Sequence, residues 1–336
     1  MIMTSRQASE SVHTRTTMAA AVITEPKKMR IEEVPIPQPG FGQVRIRLEG
    51  CGVCGSNVPP WDGRPWFEYP MTPGALGHEG WGVVDALGSD VEDVVEGQRV
   101  TAITYNAYAP YDVADARGVV MIPDSLAGVP FPGEPLGCAM NIFRRCDVHP
   151  GQTVAIVGIG FLGALLTQLV SKAGATVVAI SRRPFSREVA RKAGAAETIE
   201  LTDEAGPIVE KVKALTGGRL CERVIEAVGR QQPLELCGEL AAERGMLIIA
   251  GYHQDGLRQI NMQLWNWRGL DVINAHERDQ NVYISGMREA VEAVEQGRID
   301  PGGLLTHSLP LEQLGEALSM TRDRPDGFLK AIVTME

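Results

Sequence analysis

The sequence predicts an α/β protein of two domains, one rich in β-strands and the other built on a doubly wound parallel sheet. Strand-like stretches punctuated by proline and glycine fill residues 18 to about 130. From residue 152 the pattern changes to alternating strands and helices, which is typical of βαβ units. With 336 residues, the chain is long enough for two such domains.

The N-terminal part is predicted to consist of strands and loops, because apolar and β-branched residues alternate with polar ones in it. The predicted strands are Ala20–Ile23, Gln43–Glu49, Gly80–Leu87 and Gln98–Thr104. Proline and glycine mark Pro35–Gly42 and Pro59–Pro73 as loops. The second loop also contains the aromatic residues Trp61, Trp66, Phe67 and Tyr69.

The second half of the chain is predicted to alternate between buried strands and helices. The predicted strands there are Thr153–Val157, Thr176–Ile180, Arg223–Glu226 and Met246–Ala250, and the predicted helices are Phe161–Ala173 and Glu188–Ala195. Apolar runs of this length between turn signals favour strands of a parallel sheet covered by helices. After about residue 275, a helix at Ser285–Gln296 and a strand at Phe328–Thr334 return to the style of the first domain.

Composition excludes several classes of partner and location. A net charge of −10 and a pI near 5.2 argue against nucleic acid or an anionic membrane as partner. Residues 1–17 are polar and lack an apolar core, so we expect an N-terminal tail and not a secretory signal. Six cysteines spread through a long chain are typical of a reducing compartment, and we expect a cytoplasmic protein.

A glycine-rich run, Gly158-Ile159-Gly160-Phe161-Leu162-Gly163, connects a predicted strand to a predicted helix. Glycines at this spacing permit a tight turn and let the backbone approach a pyrophosphate at the helix N-terminus. The alternative is a glycine turn without a ligand. Because a βαβ pattern surrounds the run, we expect a dinucleotide to bind through Gly158, Gly160, Phe161, Leu162 and Gly163.

The end of the next strand bears on the choice of dinucleotide. An NAD site places a carboxylate about 20 residues after the glycines, where it binds the ribose hydroxyls. Here the strand ends in Ser181-Arg182-Arg183, without a carboxylate. A small residue followed by guanidinium groups suits a 2′-phosphate, so we expect NADP(H), with NAD as the alternative. In a further alternative, the two arginines are only solvated loop residues.

Cysteine and histidine side chains suitable for a metal occur in two short runs. The first is Cys51-Gly52-Val53-Cys54, and the second is His78-Glu79. Thiolate and imidazole ligands select zinc. The Cys-x-x-Cys pair has two other interpretations, half of a structural zinc knuckle or a redox pair. Because the sequence has no second Cys-x-x-Cys, a four-cysteine site is disfavoured, and Cys51 is predicted to be a small buried neighbour.

Taken together, these motifs resemble the zinc-containing medium-chain dehydrogenases, the superfamily of zinc alcohol, polyol and threonine dehydrogenases. The motifs are Cys54-Gly55-Ser56-Asn57, Gly77-His78-Glu79-Gly80, Glu134-Pro135-Leu136-Gly137-Cys138, the glycine run and Lys330-Ala331-Ile332-Val333. The resemblance implies a GroES-like catalytic domain, residues 18–134 and 275–336, around an inserted Rossmann domain, residues 135–274.

The resemblance also implies the site residues. Cys54 and His78 match zinc ligands, and Glu134 is favoured over Cys138 as the third. Glu79 matches an acid that approaches the zinc transiently or holds a basic residue, for which Lys330 is the candidate. Ser56 matches the group that accepts the alcohol proton. One catalytic zinc is implied per chain. The family's second, structural zinc is not expected, because residues 80–133 contain no cysteine.

Two residues depart from the family pattern. Asn57 stands where many relatives have an aspartate that bonds the zinc histidine, and we expect the amide to keep that hydrogen bond without the charge. Pro59 replaces a histidine that relays protons in many relatives, so the proton needs another route. The segment containing His276 matches one that runs near the nicotinamide, although a structural role is favoured for this histidine.

The expected function is zinc-dependent hydride transfer between NADP(H) and a small-molecule alcohol or polyol. Glu134-Pro135-Leu136 resembles the polyol and threonine branch, whereas Trp61, Trp66 and Phe67 would suit a more apolar alcohol. The alternatives are a zinc-free quinone or enoyl reductase of the same superfamily and a non-catalytic nucleotide-binding protein. Relatives pair through the edge of the Rossmann sheet, here near Leu270–Asn274, which implies a homodimer or homotetramer.

Overall fold

The computed structural model describes residues 15–335, which form a β-rich unit and a parallel α/β unit. Its strands are β1 Thr17–Glu25, β2 Lys28–Pro35, β3 Gln43–Gly52, β4 Gly80–Leu87, β5 Arg99–Ala102, β6 Tyr111–Asp115, β7 Val119–Met121, β8 Thr153–Val157, β9 Thr176–Ser181, β10 Glu197–Glu200, β11 Cys221–Glu226, β12 Ala241–Ile249, β13 Asp271–Asn274, β14 His307–Pro310 and β15 Ala331–Thr334. Its helices are α1 Val58–Asp62, α2 Gly133–Cys146, α3 Phe161–Lys172, α4 Pro184–Lys192, α5 Ala205–Thr216, α6 Gln231–Leu240, α7 Met262–Arg268, α8 Gln280–Glu295 and α9 Leu314–Asp323.

The β-rich unit is held together by a seven-stranded sheet that uses both ends of the chain. Its order is β14-β15-β3-β4-β5-β7, with β6 paired to β3. In the antiparallel pair β3–β4, Cys51 lies opposite Gly80, and in the pair β3–β15, Gly52 lies opposite Ile332. The residues just after β3, just before β4 and just before β15 therefore meet at one end of the sheet.

The second unit is a six-stranded parallel sheet in the order β10-β9-β8-β11-β12-β13. Strands β9 and β10 follow β8 on one side of it, whereas β11, β12 and β13 follow on its other side. The strand order therefore reverses between β8 and β11. Ligands of doubly wound sheets bind at such a switch, outside the carboxyl ends of the strands. Gly158 follows β8 directly and so lies at this point.

The helix that follows the glycine run is fixed by its burial. Leu165 and Leu166 of α3 are fully buried against the sheet residues Val154 and Ile156. Each leucine buried in this way contributes roughly 1.5–3 kcal/mol to folding. Tight packing of α3 therefore holds its N-terminus at the edge of the sheet, where the glycines lie.

Several predicted boundaries differ from the structure. The predicted loop Pro59–Pro73 contains most of α1, whose prolines stand in the first turn, where a backbone N–H is not needed. The helix predicted at Glu188–Ala195 begins earlier, at Pro184, for the same reason. The final strand covers only Ala331–Thr334, while the strand predicted at Met246–Ala250 begins at Ala241. Of the predicted tail, residues 1–14 lie outside the described residues, and β1 already begins at Thr17.

The predicted combination of a β-rich fold with a doubly wound α/β fold is confirmed. Short strands such as β6 and β7 and the helices α2, α5, α6, α7 and α9 were not predicted. Within residues 15–335, none of the helices has the length and apolar character that crossing a bilayer requires. We propose residues 18–134 with 275–336 as one domain and residues 135–274 as the other, because each contains one of the two large sheets.

Candidate active site

The ends of β3 and β4 bring three potential metal ligands together. Cys54 follows β3, and His78 and Glu79 precede β4, which is the strand paired with β3. One ligand atom from each of the three lies within 4.8 Å of those of the other two. Cys54 and His78 are half-buried and Glu79 is fully buried, so the group sits in a partly enclosed pocket.

The hydrogen bonds of His78 leave one ring nitrogen available. Its Nδ1 lies 2.9 Å from the backbone oxygen of Leu76. Because a carbonyl oxygen only accepts hydrogen bonds, Nδ1 carries a proton, and Nε2 is the nitrogen that can bind a metal once it has lost its own proton. Burial, the largest influence, lowers the pKa of His78, but the charges of Cys54, Glu134 and Glu79 together raise it to about 10. The surroundings of His78 therefore favour a positive charge at this position.

Glu79 is held by a buried ion pair. Lys330, just before β15, donates a hydrogen bond from Nζ to Glu79 Oε1 at 2.7 Å. Oε2 lies 2.6 Å from the same ammonium group but has no well-oriented hydrogen bond among the described residues. Burial lowers the pKa of Lys330, whereas the charges of Glu79, Cys54 and Glu134 raise it, with a net upward shift. Both oxygens of Glu79 therefore lie against Lys330, and only Oε1 accepts a well-oriented hydrogen bond from it.

The predicted third ligand, Glu134, is not part of the three-residue group. It lies in the first turn of α2, where the thiol of Cys138 donates to its Oε1 at 3.3 Å. The two side chains face each other because residues four apart share one side of a helix. Burial raises the pKa of Glu134, and the nearby charge of His78 opposes this shift. The structure therefore gathers Glu79 with Cys54 and His78 and places Glu134 and Cys138 beside them.

Asn57 does not bond the histidine, so the expected hydrogen bond to His78 is wrong. Its Nδ2 donates to the backbone oxygen of Leu76 at 2.9 Å, and its Oδ1 accepts from the backbone N–H of Cys54 at 3.0 Å. The short turn Gly55–Asn57 buries this amide beneath the ligands. Ser56, in the same turn, is half-buried two residues from Cys54.

The glycine run has the geometry of a pyrophosphate cradle. Gly158 adopts a φ of +102°, in the region that favours glycine. A Cβ on Gly163 would lie 2.0 Å from the oxygen of Gly158, so the turn closes tightly there. A Cβ on Gly160 would meet nothing within 4 Å among the described residues, which leaves open space above the N-terminus of α3. Phe161 and Leu162 form the first turn of that helix.

A single side chain links the metal-ligand group to the glycine run. The Nζ of Lys330, which holds Glu79, lies 5.3 Å from the ring centroid of Phe161. An ammonium group over an aromatic face is attracted to it, and a buried pair of this kind contributes up to about 2 kcal/mol. The cluster from the β-rich unit and the dinucleotide motif of the parallel sheet therefore face the same space.

The residues at the end of β9 have partners that the sequence did not predict. Ser181 is buried at the end of the strand. Arg182 forms a surface ion pair with Asp203. Arg183 donates from Nη1 to the backbone oxygen of Phe328 at 2.5 Å, so it reaches the C-terminal segment of the β-rich unit.

Two further groups of side chains lie at the carboxyl ends of parallel strands, and of their members only His276 was considered from the sequence. The rings of Tyr252 and His276, which follow β12 and β13, stack at 5.0 Å with an interplanar angle of 13°. At the end of β11, the buried carboxylate of Glu226 accepts from the backbone N–H of Gly229 at 2.8 Å and lies 3.1 Å from His253 Nε2. Their position directly after parallel strands is the signal that could have found them.

The aromatic loop does not form one apolar pocket. Trp61 is buried under α9 and donates from Nε1 to Ser319 at 3.2 Å. Trp66 is 59% exposed, and its ring centroid lies 6.1 Å from that of the half-buried Phe67. The prediction that Trp61, Trp66 and Phe67 together line a substrate pocket is therefore wrong for Trp61, which is a core residue.

Comparison with known proteins agrees with this architecture. Residues 40–139 match the alcohol dehydrogenase GroES-like domain, and residues 162–294 match the zinc-binding dehydrogenase domain. An alcohol dehydrogenase of Rhizobium meliloti (strain 1021) is 32% identical over 269 residues, covering 70% of this chain and 77% of that protein. A sorbitol dehydrogenase of Bacillus subtilis (strain 168) is 27% identical over 350 residues, covering 94% of this chain and 97% of that protein.

A solved structure extends the similarity to the whole fold. It is that of a protein described as a zinc-binding dehydrogenase from Sinorhizobium meliloti 1021, bound to NADP. It shares 26% of its sequence with this chain, with a TM-score of 0.83, and the match covers 96% of this chain and 100% of that one. The chain therefore belongs to the zinc-type medium-chain dehydrogenases, oxidoreductases that combine a GroES-like domain with a Rossmann-type domain.

Proposed function

We propose that the protein transfers hydride between NADP(H) and a primary or secondary alcohol or polyol, with a zinc ion in the pocket of Cys54 and His78. The observation that carries this proposal is the contact of Lys330 with both Glu79 and Phe161. It joins a group of metal ligands to the first residue of the helix that follows the glycine run. A zinc site and a nicotinamide cofactor in one cleft are the two requirements of alcohol oxidation by hydride transfer.

The donor set fits zinc. Cys54 would supply a thiolate and His78 its Nε2. Glu134 is favoured over Cys138 as the third donor. Glu79, whose carboxylate lies close to Cys54 and His78, is the acid that could also approach the zinc. The buried surroundings contain two carboxylates and a thiol against one ammonium group, that of Lys330, and this balance favours a cation. When bound, zinc would act as a Lewis acid that lowers the pKa of an alcohol.

Ser56 is the side chain proposed to take the hydroxyl proton of the substrate. It lies in the turn immediately after Cys54, half-buried, so its hydroxyl is close to the ligand pocket while still in reach of the cleft. Pro59 occupies the position of the expected relay histidine, in the first turn of α1. The proton would then leave through Ser56 and the ribose of the cofactor.

NADP(H) is the proposed cofactor because the end of β9 carries no carboxylate. Ser181 leaves room for a 2′-phosphate, and the guanidinium groups of Arg182 and Arg183 follow it. Arg182 would exchange its exposed partner Asp203 for the phosphate, since an exposed ion pair contributes only about 0–1 kcal/mol. The bound NADP in the related Sinorhizobium meliloti structure supports this choice.

A polyol is the first substrate class to examine. Glu134-Pro135-Leu136 resembles the polyol branch, and a sorbitol dehydrogenase is among the relatives of the chain. The carboxylate of Glu134 and the thiol of Cys138 line the pocket beside the ligand group and offer hydrogen bonds to additional hydroxyl groups. Trp66 and Phe67 favour an apolar alcohol instead, so both classes belong in a substrate panel.

We also propose a homodimer or homotetramer whose subunits pair through the edge of the parallel sheet. Within the described part of the chain, β13 pairs with β12 and leaves its other edge free. Trp267 in α7 is 85% exposed, and Val272 in β13 is 38% exposed. Unpaired strand edges and exposed apolar side chains are features that a second copy would cover. Light scattering after gel filtration tests the proposal, which a monomer at micromolar concentration would contradict.

The decisive experiment is elemental zinc analysis combined with turnover. We expect about one zinc per chain in protein purified without chelator, and loss of both zinc and alcohol oxidation in Cys54→Ser and His78→Ala. Cys237→Ser, a buried cysteine in α6, is the matched control and should keep both. Wild-type protein that neither contains nor takes up zinc would overturn the proposal in favour of a zinc-free reductase or a nucleotide-binding protein.

Cofactor preference is tested separately. We expect kcat/KM to be higher with NADPH than with NADH, and Arg182→Ala with Arg183→Ala to reduce it selectively for NADPH. The effect should reach about tenfold or more, since a charge-assisted hydrogen bond contributes roughly 1.5–3 kcal/mol. Arg191→Ala, on the exposed face of α4, is the control. Equal losses with both cofactors would contradict the 2′-phosphate assignment.

A further inference from the structure

The buried amide of Asn57 is bonded on both sides. Its Oδ1 accepts from the backbone N–H of Cys54 at 3.0 Å and from the hydroxyl of Tyr108 at 3.3 Å. Its Nδ2 donates to the backbone oxygen of Leu76 at 2.9 Å. The side chain is 1% exposed, so water does not replace these partners.

The partners fix which end of the amide is which. The N–H of Cys54 only donates and the oxygen of Leu76 only accepts, so the group between them must accept on one side and donate on the other. An amide does both. An aspartate carboxylate would accept from Cys54 but would face the oxygen of Leu76 with no hydrogen between them, and two lone pairs at that distance repel each other.

The oxygen of Leu76 has a second donor. Nδ1 of His78 lies 2.9 Å from it, the same distance as Nδ2 of Asn57. Leu76 adopts a φ of +73°, a left-handed conformation that costs a non-glycine residue roughly 1 kcal/mol. This unusual backbone turn puts one carbonyl oxygen between the two donors. Asn57 and His78 are therefore connected through Leu76 and not directly.

We propose that Asn57 is a positioning residue that aligns Cys54 and His78 at the same time, by the Cys54 N–H on one side and the shared Leu76 oxygen on the other. The proposal rests on the metal site in the proposed function. It predicts that the amide is required as an amide: a carboxylate at position 57 weakens metal binding, although a negative charge close to a ligand histidine would ordinarily strengthen it. The two interpretations therefore predict opposite changes in the zinc affinity of Asn57→Asp.

The test compares zinc affinity of wild type, Asn57→Asp and Tyr108→Phe by competition with a chelator. We expect a roughly 10- to 100-fold weaker affinity for Asn57→Asp, the range for residues that orient metal ligands. Tyr108→Phe keeps both the Cys54 and Leu76 hydrogen bonds and should change affinity by about threefold or less, because its own bond is long. Zinc affinity of Asn57→Asp equal to or greater than that of wild type would overturn the proposal.

General destabilisation is separated from positioning by the Co²⁺-substituted proteins. The absorption bands of Co²⁺ report ligand geometry, so we expect them to shift in Asn57→Asp. Ile46→Val, in the buried part of β3 away from the ligands, lowers stability and should leave the bands unchanged. Bands of Asn57→Asp that match wild type would contradict a positioning role.

A measurement on the unsubstituted protein covers the case in which Asn57→Asp does not fold. In ¹⁵N-histidine NMR of the zinc-loaded wild type, His78 should show a protonated Nδ1 and an unprotonated Nε2. An unprotonated Nδ1 could not donate a hydrogen bond to the Leu76 oxygen, and this result would overturn the proposal. Absence of zinc from wild type would instead overturn the proposed function, so the two failures are distinguishable.

Discussion

The ammonium group of Lys330 lies 2.7 Å from Oε1 of Glu79, and both side chains are buried. The two residues are 251 positions apart in the chain. The antiparallel pairs β3–β4 and β3–β15 bring them to the same end of the sheet. The pair closes the base of the metal-ligand group and also contacts Phe161 at the start of α3. It is therefore a contact between the β-rich unit and the parallel α/β unit, as is the hydrogen bond from Arg183 to Phe328.

Lys330→Met should destabilise the metal-free protein strongly. It leaves the carboxylate of Glu79 buried without a counter-charge, which costs about 3–5 kcal/mol. Urea denaturation of the metal-free protein measures this difference in free energy of unfolding. Lys330→Arg keeps the charge and should lose less. If Lys330→Met were as stable as wild type, Glu79 would not be charged in the folded protein.

Gly52→Ala should weaken metal binding through a steric effect. A Cβ at position 52 would lie 1.8 Å from Oε2 of Glu79, the oxygen that accepts no well-oriented hydrogen bond among the described residues. The carboxylate would have to leave its place, so we expect at least about tenfold weaker zinc binding. Gly55→Ala is the matched control, because a Cβ there meets nothing within 4 Å among the described residues. Normal zinc content in Gly52→Ala would exclude Glu79 as a ligand.

Substitution of two glycines in the nucleotide loop should have different effects, on NADPH affinity at Gly160 and on stability at Gly163. Gly160→Ala should fold normally, because its Cβ enters open space in the protein without cofactor. It should bind NADPH at least about tenfold more weakly, because the backbone must approach the pyrophosphate closely there. Gly163→Ala should lose about 1–3 kcal/mol of stability, because its Cβ would meet Gly158 at 2.0 Å. Fluorescence titration and thermal unfolding measure the two effects. Unchanged NADPH affinity in Gly160→Ala would contradict a pyrophosphate site there.

Zinc binding should release a proton near neutral pH. In the metal-free protein the pKa of His78 is raised to about 10, so its ring is protonated at pH 8 and a metal must displace that proton. Affinity should therefore rise with pH between about 7 and 10. Calorimetric titration in two buffers of different protonation enthalpy counts the protons. No proton released over this range would show that His78 is neutral before the metal binds.

The same shift makes the metal-free protein less stable at high pH. The pKa of folded His78 lies above its unfolded value of about 6.5, so the stabilisation is complete below pH 6.5. It is lost as the pH rises through about 10. Urea unfolding of the metal-free protein at pH 6 and pH 9 checks the direction, and His78→Gln should remove most of the difference. Greater stability at pH 9 would contradict it.

The fold could be predicted well where the sequence pattern is local. The strand Thr153–Val157 and the start of α3 at Phe161 follow from an apolar run, glycines and an apolar helix pattern, and both are found at those positions. Elements such as α2 could not be predicted in the same way. Its apolar residues face α3 and α8, which come from distant parts of the sequence, so its burial depends on tertiary packing.

The sequence by itself determined which residues could form the site, because residue type and close spacing are enough to identify them. Cys54, His78 and the glycines of residues 158–163 were enough to predict a metal site and a dinucleotide-binding loop. Only the tertiary structure decided how these residues are arranged in space. It gathered Glu79 with Cys54 and His78 and placed Glu134 beside them, and it connected Asn57 to His78 through the oxygen of Leu76. These relationships depend on strand register and on backbone hydrogen bonds between segments far apart in the chain, which spacing along a sequence does not encode.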